Sequence, residues 1–197
     1  MRFFQPIYEQ CSDEELMRLI AENDERAFDE IYRRYSDRML RYFWRMLNQD
    51  EEKSQDFLQD LMMKVVEKAH LFNAERRFST WVYSVASNMC KNEYRSQAVR
   101  RVMTRLDDHT EINALELPDE GQIDRKSFEK QLEVELDNLS DNHREVFVLR
   151  YQEDLSIKEI GEVMACSEGT VKSRIFYALR KLATGLHAFN PKNEGQR

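Results

Sequence analysis

Residues 155–182 read LSIKEIGEVMACSEGTVKSRIFYALRKL, and this run decides the architecture of the C-terminal part of the chain. Ser156 followed by Glu159 is a capping box: the serine hydroxyl takes the amide three residues on, and the glutamate reaches back to the serine amide. It predicts a short helix over 156–164, with Ile157, Ile160, Val163 and Met164 facing inward. Gly161 lies inside that helix at a cost of about 1 kcal/mol relative to alanine, which makes sense where a second helix crosses close by. Ala165-Cys166-Ser167 is a three-residue turn, and Ser167 is a good N-cap for the next helix. Val171, Ile175, Leu179 and Leu182 form the buried face of that second helix. Its outer face carries Glu168, Thr170, Lys172, Ser173, Arg174, Tyr177, Arg180 and Lys181. A short helix, a tight turn and a longer basic helix are the parts of a helix-turn-helix, which presents its second helix to the major groove of DNA. A helical hairpin with a solvated charged face has the same outline. Here the turn length, the small residue, the cap and the absence of any acid from Gly169 to His187 coincide.

The charge of the whole chain argues the other way until it is divided. The 197 residues carry a formal net charge of −7. Residues 107–140 alone contribute −8, while residues 51–106 are net +3 and residues 141–197 net +1. Within 76–106 stand Arg76, Arg77, Lys91, Arg95, Arg100, Arg101 and Arg105, with Glu93 the single acid among them. Two positive stretches therefore flank an acidic connector, a pattern suited to a polyanionic partner.

Toward the N-terminus the period is helical almost throughout. Ser12 and Glu15 form another capping box ahead of Leu16, Leu19 and Ile20. A long helix is predicted from about Glu25 to Leu47, with Phe28, Ile31, Tyr32, Tyr35, Met39, Phe43 and Met46 as its stripe. A third runs from about Glu52 to His70, with Phe57, Leu58, Leu61, Met62, Val65, Val66 and Ala69 inward. A fourth begins near Ser79 and continues toward Arg105, with Phe78, Trp81, Val82, Val85, Ala86 and Met89 as its apolar face. These stripes are wide enough to pack on one another. Residues 107–127 contain Pro118, Gly121 and seven acids and read as a flexible linker; helical period resumes at Phe128 through Leu132, Leu136 and Leu139. The expected fold is all-α: two small helical domains, 1–106 and 128–187, joined by the acidic linker 107–127 and followed by a polar tail, 188–197, with the helix-turn-helix in the second domain. Only 5 glycines and 3 prolines in the chain argue against hairpin-rich β folds and glycine-cradled phosphates.

Residues 78–101, FSTWVYSVASNMCKNEYRSQAVRR, mix aromatic and amide side chains with cations. Trp81 belongs to the apolar stripe and reads as core. Asn88, Lys91, Asn92, Tyr94 and Arg95 fall outside it. Asparagine can offer a donor and an acceptor to a base edge while lysine and arginine hold phosphates, an arrangement suited to unpaired bases. Composition alone leaves a soluble amphipathic helix with basic decoration equally open. Cys11, Cys90 and Cys166 lie far apart without metal-ligand spacing, as do His70, His109, His143 and His187. The simplest reading is free thiols in a reducing, cytoplasmic setting, with no metal and no cofactor. No apolar run approaches the about 18 residues of a membrane span, so no direct membrane insertion is expected.

Taken together, these stretches resemble a bacterial RNA polymerase sigma factor of the extracytoplasmic-function (ECF) type, over about Asp13 to Gly185. KSQDFLQDLMMKVVEKA (53–69) is similar to the region 2 helix that docks on core RNA polymerase. RFSTWVYSVASNMCKNEYRSQAVRR (77–101) is similar to the part that melts and reads the −10 promoter element. LSDNHREVFVLRYQEDLSIKEIGEVMACSEGTVKSRIFYALRKL (139–182) is similar to region 4, which reads the −35 element as duplex. The resemblance implies polymerase-docking residues Asp56, Gln59 and Asp60, which their spacing puts on one helix face. It implies −10 contacts by Asn88, with Lys91, Asn92 and Arg95 beside it; extruding a base costs a few kcal/mol that such contacts offset. It implies −35 contacts along the second helix of the helix-turn-helix by Ser167, Glu168, Thr170, Lys172, Ser173, Arg174, Tyr177 and Arg180. Tyr177 stands where arginine is usual and Ala165 where a turn glycine is common. The implied partners are core RNA polymerase, promoter DNA and an anti-sigma factor. Implied function is a non-enzymatic initiation factor. A free-standing helix-turn-helix regulator and a helical adaptor for an acidic partner are the alternatives; the docking helix at 53–69 speaks against the first. No catalytic constellation is visible.

Overall fold

The computed structural model describes residues 7–104 and 125–189. Among them, eight α-helices follow one another: α1 (Asp13–Ala21), α2 (Glu25–Met46), α3 (Glu51–Lys68), α4 (Phe78–Thr104), α5 (Arg125–Asp137), α6 (Asp141–Tyr151), α7 (Ile157–Met164) and α8 (Glu168–Gly185). The acidic stretch read at 107–127 lies outside the described residues except for its last three, which form the first turn of α5.

The helix starts are set by local chemistry. Ser12 Oγ accepts the Glu15 amide at 3.2 Å while the Glu15 carboxylate accepts the Ser12 amide at 2.7 Å, so both orphan donors are satisfied. Asp24 caps α2 and Asp50 caps α3 through their carboxylates. The start of α4 is held from a distance: the Phe78 amide donates to Glu14 Oε1 of α1 at 2.8 Å.

The N-terminal half, α1–α4, closes around Leu16, Met17, Ile31, Met39, Phe43, Leu61, Phe78 and Val82, all buried. Phe72, Phe78 and Trp81 pack ring on ring beside them, which gives Trp81 the core role its stripe predicts. The C-terminal half, α5–α8, closes around Val146, Leu149, Ile160, Val171, Ala178 and Leu182. Three residues assigned to apolar stripes are instead exposed: Tyr32 at 45%, Val66 at 49% and Leu179 at 40%. Tyr42 in α2, Tyr83 in α4 and Ala178 in α8, outside the predicted stripes, are buried. On α8 the steps from Val171 run four, three and four to Ile175, Ala178 and Leu182, which follows 3.6 residues per turn more closely than the expected four, four, three.

The two halves pack directly on each other, α7 along α4 and α6 against α2. That contact positions everything described next.

Candidate nucleic-acid interface

The helix-turn-helix forms as its capping box requires. Ser156 and Glu159 exchange hydrogen bonds at 3.2 and 2.9 Å, opening α7. Ala165 turns the chain with φ 51° and ψ 48°, the left-handed region that glycine enters at no cost. A Cβ added at Gly161 would stand 2.9 Å from the Cys166 carbonyl oxygen, so only glycine admits this turn as it is built. The Cys166 amide in turn donates to the Gly161 carbonyl at 2.9 Å. Ser167 caps α8, its Oγ accepting the Thr170 amide at 3.2 Å and lying 2.9 Å from Thr170 Oγ1.

The predicted readers on α8 divide into two groups. Ser167, Glu168, Lys172, Ser173, Tyr177 and Arg180 are exposed. Thr170 and Arg174 are half-buried: Thr170 is tied to the cap, and the Arg174 guanidinium folds back over the turn, 3.7 Å from Cys166 Sγ. Tyr177, the departure from arginine, rests its ring near His143 of α6 with centroids 6.3 Å apart. With Ser167 engaged as the cap and Glu168 acidic, Lys172, Ser173 and Arg180 are the exposed donors suited to phosphate or base edges.

On α4, Asn88, Asn92 and Arg95 are exposed at steps of four and three, one face of the helix, with Arg95 Nη1 3.5 Å from Asn92 Oδ1. The single acid of this basic stretch, Glu93, turns the other way. It pairs with Lys53 of α3 at 2.5 Å and lies 3.5 Å from Arg100; the Lys53 contact holds its carboxyl below the usual range. The outward face is thereby cationic and polar. Lys91 is different: half-buried, it points into the contact between the halves, with Nζ 3.8 Å from a carboxylate oxygen of Glu145.

On α3, Asp56, Gln59 and Asp60 are all exposed, opposite buried Leu58, Leu61, Met62 and Val65. Met63 and Val66 continue the same outer face and are exposed as well. An acidic-polar stripe that runs into uncovered apolar side chains suits a protein partner. Sequence reading missed this apolar extension by assigning Val66 to the core.

Also missed were the groups that join the halves. Glu145 of α6 accepts hydrogen bonds from Ser87 of α4 and from Tyr42 of α2 (3.4 Å). Burial pushes its carboxyl up, while Lys91 and these hydroxyls pull it back. Glu153 accepts from Tyr83 of α4 and from Arg38 Nε at 3.3 Å. Arg77 at the start of α4 reaches Glu159 of α7 at 2.6 Å. The available sequence signal was Tyr83, Ser87 and Lys91 at four-residue spacing, a polar row on one side of α4.

Comparison with known proteins accords with this geometry. Residues 31–100 match the model of Sigma-70 region 2, and residues 136–184 that of Sigma-70, region 4. The chain is 30% identical over 178 residues to the RNA polymerase sigma-H factor of Pseudomonas aeruginosa, covering 86% of this chain and 91% of that one. It is 30% identical over 172 residues to the ECF RNA polymerase sigma factor SigW of Bacillus subtilis, covering 82% and 91%. Its fold is that of the sigma factor RpoE of Bartonella quintana, solved with the anti-sigma factor NepR, at a TM-score of 0.65 and 19% identity, covering 86% of this chain and 98% of that one. With a region 2 helix bundle, a region 4 helix-turn-helix and relatives of this similarity, the chain belongs to the ECF family of RNA polymerase sigma factors.

Proposed function

We propose that this chain binds core RNA polymerase and directs it to a set of promoters, and that its helices divide the work. The α3 face of Asp56, Gln59 and Asp60, extended by Met63 and Val66, docks on polymerase. The α8 face, with Lys172, Ser173 and Arg180 foremost among Ser167–Arg180, reads the −35 element as duplex in the major groove. The α4 face of Asn88, Lys91, Asn92 and Arg95 holds and reads the opened −10 strand. Residues 1–106 and 128–187 are the two working domains, with 107–127 spanning between them. An anti-sigma factor is the proposed antagonist, as in the solved relative. The site of action is the cytoplasm, where polymerase and chromosome are.

One observation carries this reading: a single chain displays an acid-poor recognition helix and a separate amide-and-cation face, each exposed, together with an acidic helix face suited to a protein. The test is reconstitution. Purified chain is added to core polymerase on genomic fragments, and start-site-specific transcripts are expected from a subset. Their absence from every fragment refutes the proposal.

A further inference from the structure

Most of what α8 shows to water is polar, yet two aromatic side chains stand out from it together. Phe176 is 60% exposed and Tyr177 55%. Ser173 lies four residues before Tyr177 and Arg180 three residues after, so Tyr177 shares a helix face with two of the donors described above. Val171, Ala178 and Leu182 supply the buried side of the same helix. A ring left half in water gains little from the core of its own chain, so packing within the protein does not account for Tyr177.

The ring is held in place all the same. Phe176 meets it edge to face, with centroids 5.5 Å apart and planes at 77°. His143 of α6 lies 6.3 Å away, tilted by 42°. That imidazole is itself steadied, with Nδ1 3.0 Å from the Ser140 hydroxyl. An aromatic side chain fixed before its partner arrives loses little rotamer freedom on contact.

Such a group has a narrow chemistry in the major groove. A guanidinium at this place would seek O6 and N7 of guanine. A neutral ring brings no cation to those acceptors. Its apolar surface suits the one apolar group that the bases display there, the C5-methyl of thymine.

We infer that Tyr177 reads a thymine of the −35 element, its braced ring lying against the C5-methyl on the stretch of duplex spanned by Ser173 and Arg180. The inference rests on the assignment of α8 as the −35 reader and adds the base that this chain's departure from arginine selects. Tyr177 then sets which promoters are chosen, while Lys172 and the other cations of α8 supply attraction that is blind to sequence.

The test starts from random-sequence duplexes retained by the full chain bound to core RNA polymerase. The selected duplex is remade with each thymine replaced in turn by deoxyuridine, which removes the methyl group alone. The ratio of the two affinities is taken within one protein, so it is insensitive to the active fraction. For wild type one thymine is expected to show a loss of about fourfold, the worth of one buried methyl-sized group. Tyr177→Phe should keep that discrimination and Tyr177→Ala should abolish it. Selection with Tyr177→Arg is expected to return guanine at that base pair. Wild-type indifference to deoxyuridine at every thymine overturns the inference. So does undiminished discrimination in Tyr177→Ala, or thymine retained by Tyr177→Arg. A complex that selects no duplex motif at all overturns the assignment of α8 itself, and the reading of thymine falls with it.

Discussion

Arg144 of α6 donates from Nη1 to Asn48 Oδ1, just beyond the end of α2, at 2.7 Å. The same guanidinium lies 3.4 Å from the Arg45 carbonyl and donates to the Leu136 and Asp137 carbonyls at 3.0 and 2.8 Å. One buried cation thus satisfies the C-terminal ends of two helices, α2 from one half and α5 from the other, where carbonyls lack helical partners and the dipole favours positive charge. Arg144→Ala is expected to destabilise the chain by about 3 kcal/mol or more in chemical denaturation, because several buried acceptors lose their donor at once. Arg144→Lys recovers little of this, since a single ammonium cannot span both helix ends. Full recovery by lysine overturns the bridging role.

Glu30 predicts an acid-sensitive step. It accepts from Arg33 Nε and Nη2 at 2.8 and 2.7 Å and from Arg34 Nε at 2.6 Å. The Arg33 contact, foremost, with Arg34 and against the effect of burial, lowers its carboxyl from 4.5 to about 2. A carboxyl depressed in the folded chain stabilises it above the unfolded value and loses that contribution as pH falls through the folded one. Melting temperature in wild type should therefore drop more steeply between pH 4.5 and about pH 2 than in Glu30→Gln. Parallel curves refute the linkage.

The turn of the helix-turn-helix gives two substitutions of opposite sign. Ala165 sits at φ 51°, so Ala165→Gly is expected to stabilise region 4 by about 1 kcal/mol. Gly161→Ala gains about 1 kcal/mol of helix propensity. It also places a Cβ 2.9 Å from the Cys166 carbonyl, whose own residue is hydrogen-bonded back to Gly161. The resulting strain of about 1–3 kcal/mol should leave Gly161→Ala the less stable protein. Denaturant titration of both checks the pair, and a stabilised Gly161→Ala contradicts the close approach.

Docking on polymerase is tested at Asp60. The side chain is exposed, so Asp60→Ala should leave stability within about 0.5 kcal/mol of wild type. Its expected effect is a loss of about 1–2 kcal/mol in core polymerase binding, with duplex affinity of α8 unchanged. Equal losses in both assays refute the docking role.

For α8, Lys172→Ala is expected to lower the slope of log affinity against log salt by about 0.9, the share of one phosphate contact. An unaltered slope refutes a backbone role for Lys172.

Much of the fold was legible because its decisive signals are local. Both capping boxes, the Ser167 cap and the small residue at Gly161 act within a few residues of themselves, and each forms as its spacing demands. The stripes were legible in outline only. A repeat of three and four leaves the exact rotation of a helix open, and its neighbours settle it, as Tyr42 and Tyr83 did by meeting edge to face at 5.5 Å. Asp56, Gln59, Asp60, Asn88, Asn92 and Arg95 stand on exposed faces, as their spacing outside the apolar stripes implies. Of the seam between the halves, only the polar row Tyr83, Ser87 and Lys91 left a trace in the sequence. Glu159 looked complete as a capping residue, yet it also pairs with Arg77, 82 positions away in the chain. Arg38 and Glu145 have ordinary sequence surroundings, and their hydrogen-bond partners come from the tertiary contact.

The pairing of Lys91 with Glu145 bears on what the chain offers to DNA at large. A bacterial genome offers on the order of a million or more competing non-specific sites, and any protein with bare cationic faces is soaked up by them. With Glu145 beside it, Lys91 adds less to that non-specific attraction than the exposed Arg95, Lys172 and Arg180.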